Sequence, residues 1–225
     1  MKQLQLTLLL IIFLFGLTIC KKMPTPPQSP QPGSRNYTWK LDTLDMPMNY
    51  ISSVWGAAPN DVWAAGAGGT EYDRLLHYDG ETWSTYKNEP INCSANNLFG
   101  FSANDIWMGG QAGWGYKGAG IWHYDGTQWS QNYIYYVEGA YDVQVTHIWG
   151  TAPNDVYACG HIGYHEEGKT DFWRGFVLHY DGGYWKEVVQ AQSNSQFLKI
   201  RKNQTRIIVQ SFSYEIGSVD VIEFY

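Results

Sequence analysis

The sequence predicts an all-β fold, a β-propeller of four-stranded antiparallel blades, and three observations carry that prediction. A pair of motifs is written three times, with a period near fifty residues. Turn-forming residues fall at fixed offsets inside each copy. Eleven Trp, seventeen Tyr and twenty-four Gly stand against only 16% charged residues, a balance that favours short strands and tight turns over helices.

The first half of the pair runs Trp55–Trp63, Phe99–Trp107 and Trp149–Tyr157, an aromatic and Gly followed by Asn-Asp-Val/Ile-Trp/Tyr. The second half, His-Tyr-Asp-Gly-x-x-Trp, runs His77–Trp83, His123–Trp129 and His179–Trp185. Each copy reads as strands a to d. In the first copy these are Ile51–Gly56, Val62–Gly66, Arg74–Tyr78 and Thr82–Lys87, filled by aromatic and β-branched residues. Ala58-Pro59-Asn60-Asp61 turns strand a into b, and Asp79-Gly80 is a hairpin joining c to d. The same turns recur as Ser102-Ala103-Asn104-Asp105 with Asp125-Gly126, and as Ala152-Pro153-Asn154-Asp155 with Asp181-Gly182.

These residues resemble known propeller repeats. Gly109-Gly110, then Tyr124 and Trp129, follow the kelch order, and Asp-Gly-x-x-Trp approaches the Asp-box but is one residue short. The chain also resembles a bacterial repeat of the form Trp-Gly…Asp-Val-Trp, then His-Tyr-Asp-Gly-x-x-Trp, found in exported proteins. The resemblance covers about residues 50–190; it implies a fold and no activity.

Blades are expected at about 51–90, 91–140, 141–190 and 191–225. In the last, Phe197–Arg201, Arg206–Gln210 and Val219–Tyr225 supply strands a to c, without the Asn-Asp, the His-Tyr-Asp-Gly or the Trp. Strand d would come from 36–44, where Tyr37-Thr38-Trp39-Lys40-Leu41 matches strand d alone, so that the N-terminal strand closes a four-bladed ring and covers an edge. The alternative is a homodimer, two chains pairing into a larger ring.

Residues 1–20 read as an export signal. Lys2 precedes an apolar run from Leu6 to Ile19, too short to span a bilayer. Leu17-Thr18-Ile19-Cys20 resembles the lipobox of bacterial lipoproteins, which implies lipidation of Cys20 and a place in the cell envelope; Ile19 departs from the small residue that the family prefers. Residues 21–35 are a Pro-rich tether and 36–225 the propeller. Cys93 and Cys159 remain, in different repeats, where export permits a disulfide and burial as free thiols is the commoner arrangement.

A formal charge of −6 argues against nucleic acid as a partner. Asp61 with His77, Asp105 with His123 and Asp155 with His179 fall at one end of each blade, a triplicate that suits a structural tie better than a catalytic site. No nucleophile elbow, P-loop or dinucleotide fingerprint is present, and no catalytic residue, metal or cofactor is assigned.

Function is expected where the repeats differ, because loops on a rigid scaffold carry binding. The b–c and d–a loops share one face and vary most. They place Trp114, Tyr116, Tyr133, Tyr135 and Tyr136 around the second blade, and His161, Tyr164, His165, Glu166, Asp171, Trp173 and Arg174 on the third. Aromatics with carboxylates suit carbohydrate or a protein partner. The alternative is a glycan-active enzyme using Glu166 or Glu167 with Asp171 or Glu138.

Overall fold

The computed structural model describes residues 41, 43–44, 48–68, 75–87, 91, 93–112, 118–191 and 194–224. The chain divides into two units, Met1–Thr43 and Leu44–Tyr225. Cys20, the tether and most of the expected closing strand at 36–44, Trp39 included, lie outside the described residues; Leu41, Thr43 and Leu44 are described and are not in a strand.

The second unit is a β-propeller assembly of antiparallel blades in the predicted order. β1 (Met48–Ala58), β2 (Asp61–Gly68), β3 (Leu75–Tyr78) and β4 (Trp83–Thr85) pair in sequence as the first blade. β5 (Cys93–Ser102), β6 (Asp105–Ala112), β7 (Ala119–Tyr124) and β8 (Trp129–Tyr135) form the second. β9 (Asp142–Ala152), β10 (Asp155–Tyr164), β11 (Phe172–Tyr180) and β12 (Trp185–Gln190) form the third. A bridge between Gln111 and Gln144 joins β6 to β9. β13 (Ser195–Asn203), β14 (Arg206–Ser213) and β15 (Ser218–Phe224) pair in sequence as the three described strands of the last blade, at the places expected for its strands a to c.

The recurring turns are built by their own side chains. Asp79, Asp125 and Asp181 each accept two backbone N–H groups from the residues two and three ahead. With the Thr127 hydroxyl and the Gln128 and Thr127 N–H groups all donating to it, the Asp125 carboxyl falls to about 2. Tyr78, Tyr124 and Tyr180 donate across the same hairpins to the carbonyls of Gly80, Gly126 and Gly182. Those glycines have φ of 102°, 93° and 97°, and a Cβ on any of them would lie within 3 Å of Asn60, Asn104 or Asn154. The two turns of a blade therefore touch, which is why the Asn-Asp and Asp-Gly signals travel together.

Blades pack through a repeated aromatic joint. Trp63 lies against Tyr124 and, edge-on, against Trp129, with centroids 5.0 and 5.6 Å apart. Trp107 meets Tyr180 and Trp185 in the same way, at 5.0 and 5.5 Å. Each strand-b tryptophan of one blade thus fills against the Tyr and Trp of the next, inside an apolar cluster that spans the junction. Among the described residues of the last blade neither a Tyr nor a Trp packs on Tyr157. Lys202 of β13 instead lies 5.0 Å over the Tyr157 ring and donates to its hydroxyl at 3.0 Å.

A second joint was not visible in the motifs. Strand a of every blade carries a bulge that leaves Ser52, Asn96, Thr146 and Leu198 unpaired in the ladder. Three of these reach the next blade: Ser52 Oγ donates to the Ala95 carbonyl at 2.6 Å, Asn96 Nδ2 to Val145 at 2.9 Å, and Thr146 Oγ1 to Phe197 at 2.6 Å. Their neighbours Ser53 and Asn97 accept the Leu98 and Ile148 N–H groups of the next blade, at 2.9 and 2.8 Å. The bulge also brings the carbonyls of Tyr50, Ser94 and Gln144 within 2.0 Å of where a Cβ would stand on Gly66, Gly110 and Gly160. Only glycine fits there.

The first blade presents Ile51 and Val54 outward. Val54 is 59% exposed, whereas its counterparts Leu98 and Ile148 are 5% and 0% exposed beneath a preceding blade. On the last blade Val221 is 69% exposed where its counterpart Val177 is fully buried. Cys93 and Cys159 are both buried and are free thiols, so the permitted disulfide does not form. Burial pushes the Cys159 thiol up to about 12.

Candidate functional site

The three Asp–His pairs form as the spacing predicts. His77 Nε2 meets Asp61 at 2.7 Å, His123 meets Asp105 at 2.8 Å and His179 meets Asp155 at 2.9 Å. Each imidazole is covered by the strand-b aromatic, Trp63, Trp107 or Tyr157, at centroid distances of 4.3 to 4.4 Å. The pair ties the start of strand b to the end of strand c in each blade, which is a scaffold role. Asp155 has additional partners. Burial alone would raise its carboxyl, but hydrogen bonds from Thr151, Lys202, His179 and Tyr157 hold it well below the usual carboxylate range.

The loop face diverges from this regularity. In the third blade the b–c hairpin runs from Tyr164 to Phe172, and its ladder stays paired out to that rung. The rung is also an aromatic stack, Tyr164 on Phe172 at 4.9 Å, with the Arg174 guanidinium 5.6 Å from each ring. Beyond it, His165 Nδ1 meets Asp171 at 2.5 Å, and the Tyr141 hydroxyl donates to the other Asp171 oxygen at 3.3 Å. Tyr141 comes from the d–a loop, so two loops meet on one carboxylate. Tyr141 also lies edge-on to the His165 ring. At the tip Glu166 pairs with Lys169. Trp173 stacks on Tyr214 of the last blade at 4.7 Å, and its backbone N–H is held by Asn194.

Other expected site residues turn inward or lie apart. Tyr135 is buried against Phe176 and its hydroxyl donates to Glu187; burial and then that carboxylate push its pKa up. Tyr133 stacks on Trp185 within the junction of the second and third blades. Tyr136 is exposed and donates to Glu138, apart from the hairpin group. His161 is buried, its Nε2 3.2 Å from Asp142, which also accepts from Gln111 at 2.8 Å and Gln144 at 3.1 Å. Burial would raise the Asp142 carboxyl, yet the bonds from His161, Gln144 and Gln111 lower it overall. Trp114 and Tyr116 lie outside the described residues.

Three participants carry no signal in the sequence. Tyr214 belongs to the divergent last blade, where no motif marks a position. Gln111 and Asp142 are single polar residues at the ends of strands, with nothing in their neighbourhood to signal that they meet.

Among the described residues no group of three or more His, Cys, Asp or Glu side chains could hold a metal ion. Asp61, Asp105 and Asp155 are each engaged by the histidine of their own blade.

No family model matches the chain, and neither does any curated protein. Among solved structures, one titled "YCF48 bound to D1 peptide" is similar with a TM-score of 0.46 and 14% identity, over 80% of this chain and 59% of that one. The chain thus spans less than two thirds of the length of that protein.

Proposed function

We propose that the chain is an exported, lipid-anchored binding module that takes a protein or carbohydrate ligand on its b–c and d–a loop face, at the long hairpin of the third blade. One observation carries the reading: Tyr141, His165 and Asp171 interlock on an exposed surface through contacts with each other and not with the core. Beside them Arg174, Tyr164 and Phe172 form a rigid aromatic and cationic ladder. Side chains positioned before a ligand arrives lose little entropy on binding it. Such a surface suits an extended peptide, whose backbone and acidic groups would meet Arg174 and the tyrosine hydroxyl, or a sugar packed on the rings.

The enzyme alternative gains no support. Glu138 is bound by Tyr136, Glu166 by Lys169, and Asp171 by His165 and Tyr141, so of the four candidate carboxylates only Glu167 is not committed to a neighbour by a hydrogen bond or ion pair among the described residues. The reading is tested on peptide and glycan arrays with the wild type and with Tyr141→Ala, His165→Ala and Arg174→Ala. Ligands found with the wild type are lost in the variants at unchanged melting temperature; equal binding by all three variants removes the proposed face. The anchor is tested separately by mass, as a diacylglycerol-modified Cys20 at the mature N-terminus.

A homodimer has its own motivating observation in the exposure of Ile51, Val54 and Val221, positions that are buried between blades elsewhere. Sedimentation of the tether-free chain at several concentrations tests it, and a monomer at every concentration excludes it.

A further inference from the structure

Between the first and second blades a cleft of about 290 Å³ runs along β4, lined by Trp63, His77, Ser84, Thr85, Tyr86, Lys87, Tyr124 and Thr127. Its existence follows from a difference between repeats. In the second blade the outer strand carries a bulge at Asn132, between the pairs Trp122–Gln131 and Ile121–Tyr133. Asn132 then reaches across the next junction and accepts from Trp185 Nε1 at 2.8 Å. The first blade has no such residue: Thr85 pairs with Leu76, and Tyr86 N–H goes directly to the Leu75 carbonyl. Trp129, the counterpart of Trp185, is correspondingly left with a buried indole N–H that has no partner among the described residues. The junction is short by one side chain.

The chemistry of the lining is one-sided. None of its described lining residues is an Asp or Glu, and the described carboxylates beside it, Asp61 and Asp125, are each engaged by a lining residue, His77 and Thr127. Lys87 is exposed at the end of the cleft and has no ion-pair partner among the described residues. The Tyr86 hydroxyl accepts from the Trp129 backbone N–H at 3.1 Å, which leaves its own proton to donate. Ser84 Oγ makes only a 3.5 Å contact with the His77 carbonyl. By contrast Tyr124 and Thr127 spend their protons on Gly126 and Asp125 and contribute surface. Free donors beside a cation, with indole and phenol walls, make an anion site with an apolar body compartment.

We infer that this cleft binds a small organic carboxylate, with Lys87, Tyr86 and Ser84 taking the carboxylate and Trp63 and Tyr124 flanking the rest. The site is separate from the hairpin of the third blade and independent of the function proposed for it. The carboxylate belongs either to a free acid of roughly amino-acid size or to an acidic side chain of a peptide.

Calorimetric titration of the full propeller tests this with phenylacetate, with its neutral isostere phenylacetamide, and with a capped pentapeptide carrying one Glu beside a Phe. Saturable binding of phenylacetate or of the peptide, weakened about tenfold or more by Lys87→Met and about three- to tenfold by Tyr86→Phe, supports the site. Which of the two probes binds identifies the source of the carboxylate. Lys186→Met, on the outer strand of the third blade, leaves affinity unchanged. Circular dichroism of each variant establishes that it is folded, and Lys87→Met alters only an exposed side chain. Equal binding of phenylacetamide, indifference to Lys87→Met, or no saturation by either carboxylate up to 10 mM (on the order of the weakest affinities that count as specific) overturns the proposal.

Discussion

Ser52 Oγ donates to the Ala95 carbonyl at 2.6 Å, from the bulge of one inner strand to the backbone of the next. The same hydroxyl lies 2.9 Å from the Ala65 carbonyl of its own blade, so its one proton is shared between the two acceptors. Thr146 repeats both contacts, to Cys159 and to Phe197. A single hydroxyl near the axis thus joins two blades, and the bulge exists to present it.

Removing that staple costs stability without touching the aromatic joint. Thr146→Val keeps the shape, deletes the donor, and leaves the Phe197 carbonyl short of a partner. The expected loss is about 1 to 2 kcal/mol in urea unfolding. Leu198, at the bulge of the last blade, cannot donate at all, so Leu198→Ala leaves no staple to lose and its effect reports packing alone.

The strand-b glycines are required by the same bulge. A Cβ on Gly160 would stand 1.8 Å from the Gln144 carbonyl oxygen, and backbone cannot give way cheaply. Gly160→Ala should therefore destabilise by several kcal/mol, roughly 3 or more, or abolish soluble expression. Gly168→Ala, where nothing lies within 4 Å but φ is +76°, should cost only about 1 kcal/mol.

Stability should fall in mild acid because of His147. This ring is buried, accepts from Arg201 and lies near Lys199; burial first and those cations second lower its pKa to about 4. The unfolded chain binds the proton near pH 6.5, so its stabilising effect is complete above that value and is lost as pH falls through 6.5 towards 4. A shift of this size corresponds to about 3 kcal/mol. Urea midpoints measured from pH 7.5 to 4 should show that slope, and His147→Asn, which installs the residue found at the equivalent Asn97, should flatten it.

Both described thiols should be silent in the folded protein. Cys159 is fully buried with its pKa at about 12, and Cys93 is buried as well. Ellman's reagent is expected to titrate them only after denaturant is added, and prompt reaction of the native protein would show that the last junctions open readily.

The motifs made the blades legible because turns and aromatic joints use the same residue types each time. Asn60 under Gly80 and Trp63 against Trp129 recur as identities, so a period shows them. The inner staple uses Ser, Asn and Thr at equivalent places, and what recurs is a donor on a bulge, which no residue pattern displays. The candidate site was legible as a segment, since an unequal loop announces itself by length. Its contacts were not: Tyr135 and His161 looked like loop-face residues, yet strand register turns both inward, and Tyr214 arrives from a blade with no motif. The cleft beside β4 was equally hidden, because it is made by the absence of a counterpart to Asn132.

The central claim is that the triplicated Asp–His pairs hold the blades while the unequal hairpin is free for binding. Urea unfolding of two sets of single variants tests it most directly. His77→Gln, His123→Gln and His179→Gln should each lose about 1 to 3 kcal/mol, as hydrogen bonds to a charged partner do. Tyr141→Ala, His165→Ala and Arg174→Ala should stay within about 0.5 kcal/mol of wild type. Histidine variants as stable as the wild type, with hairpin variants that unfold early, would reverse the assignment of scaffold and site.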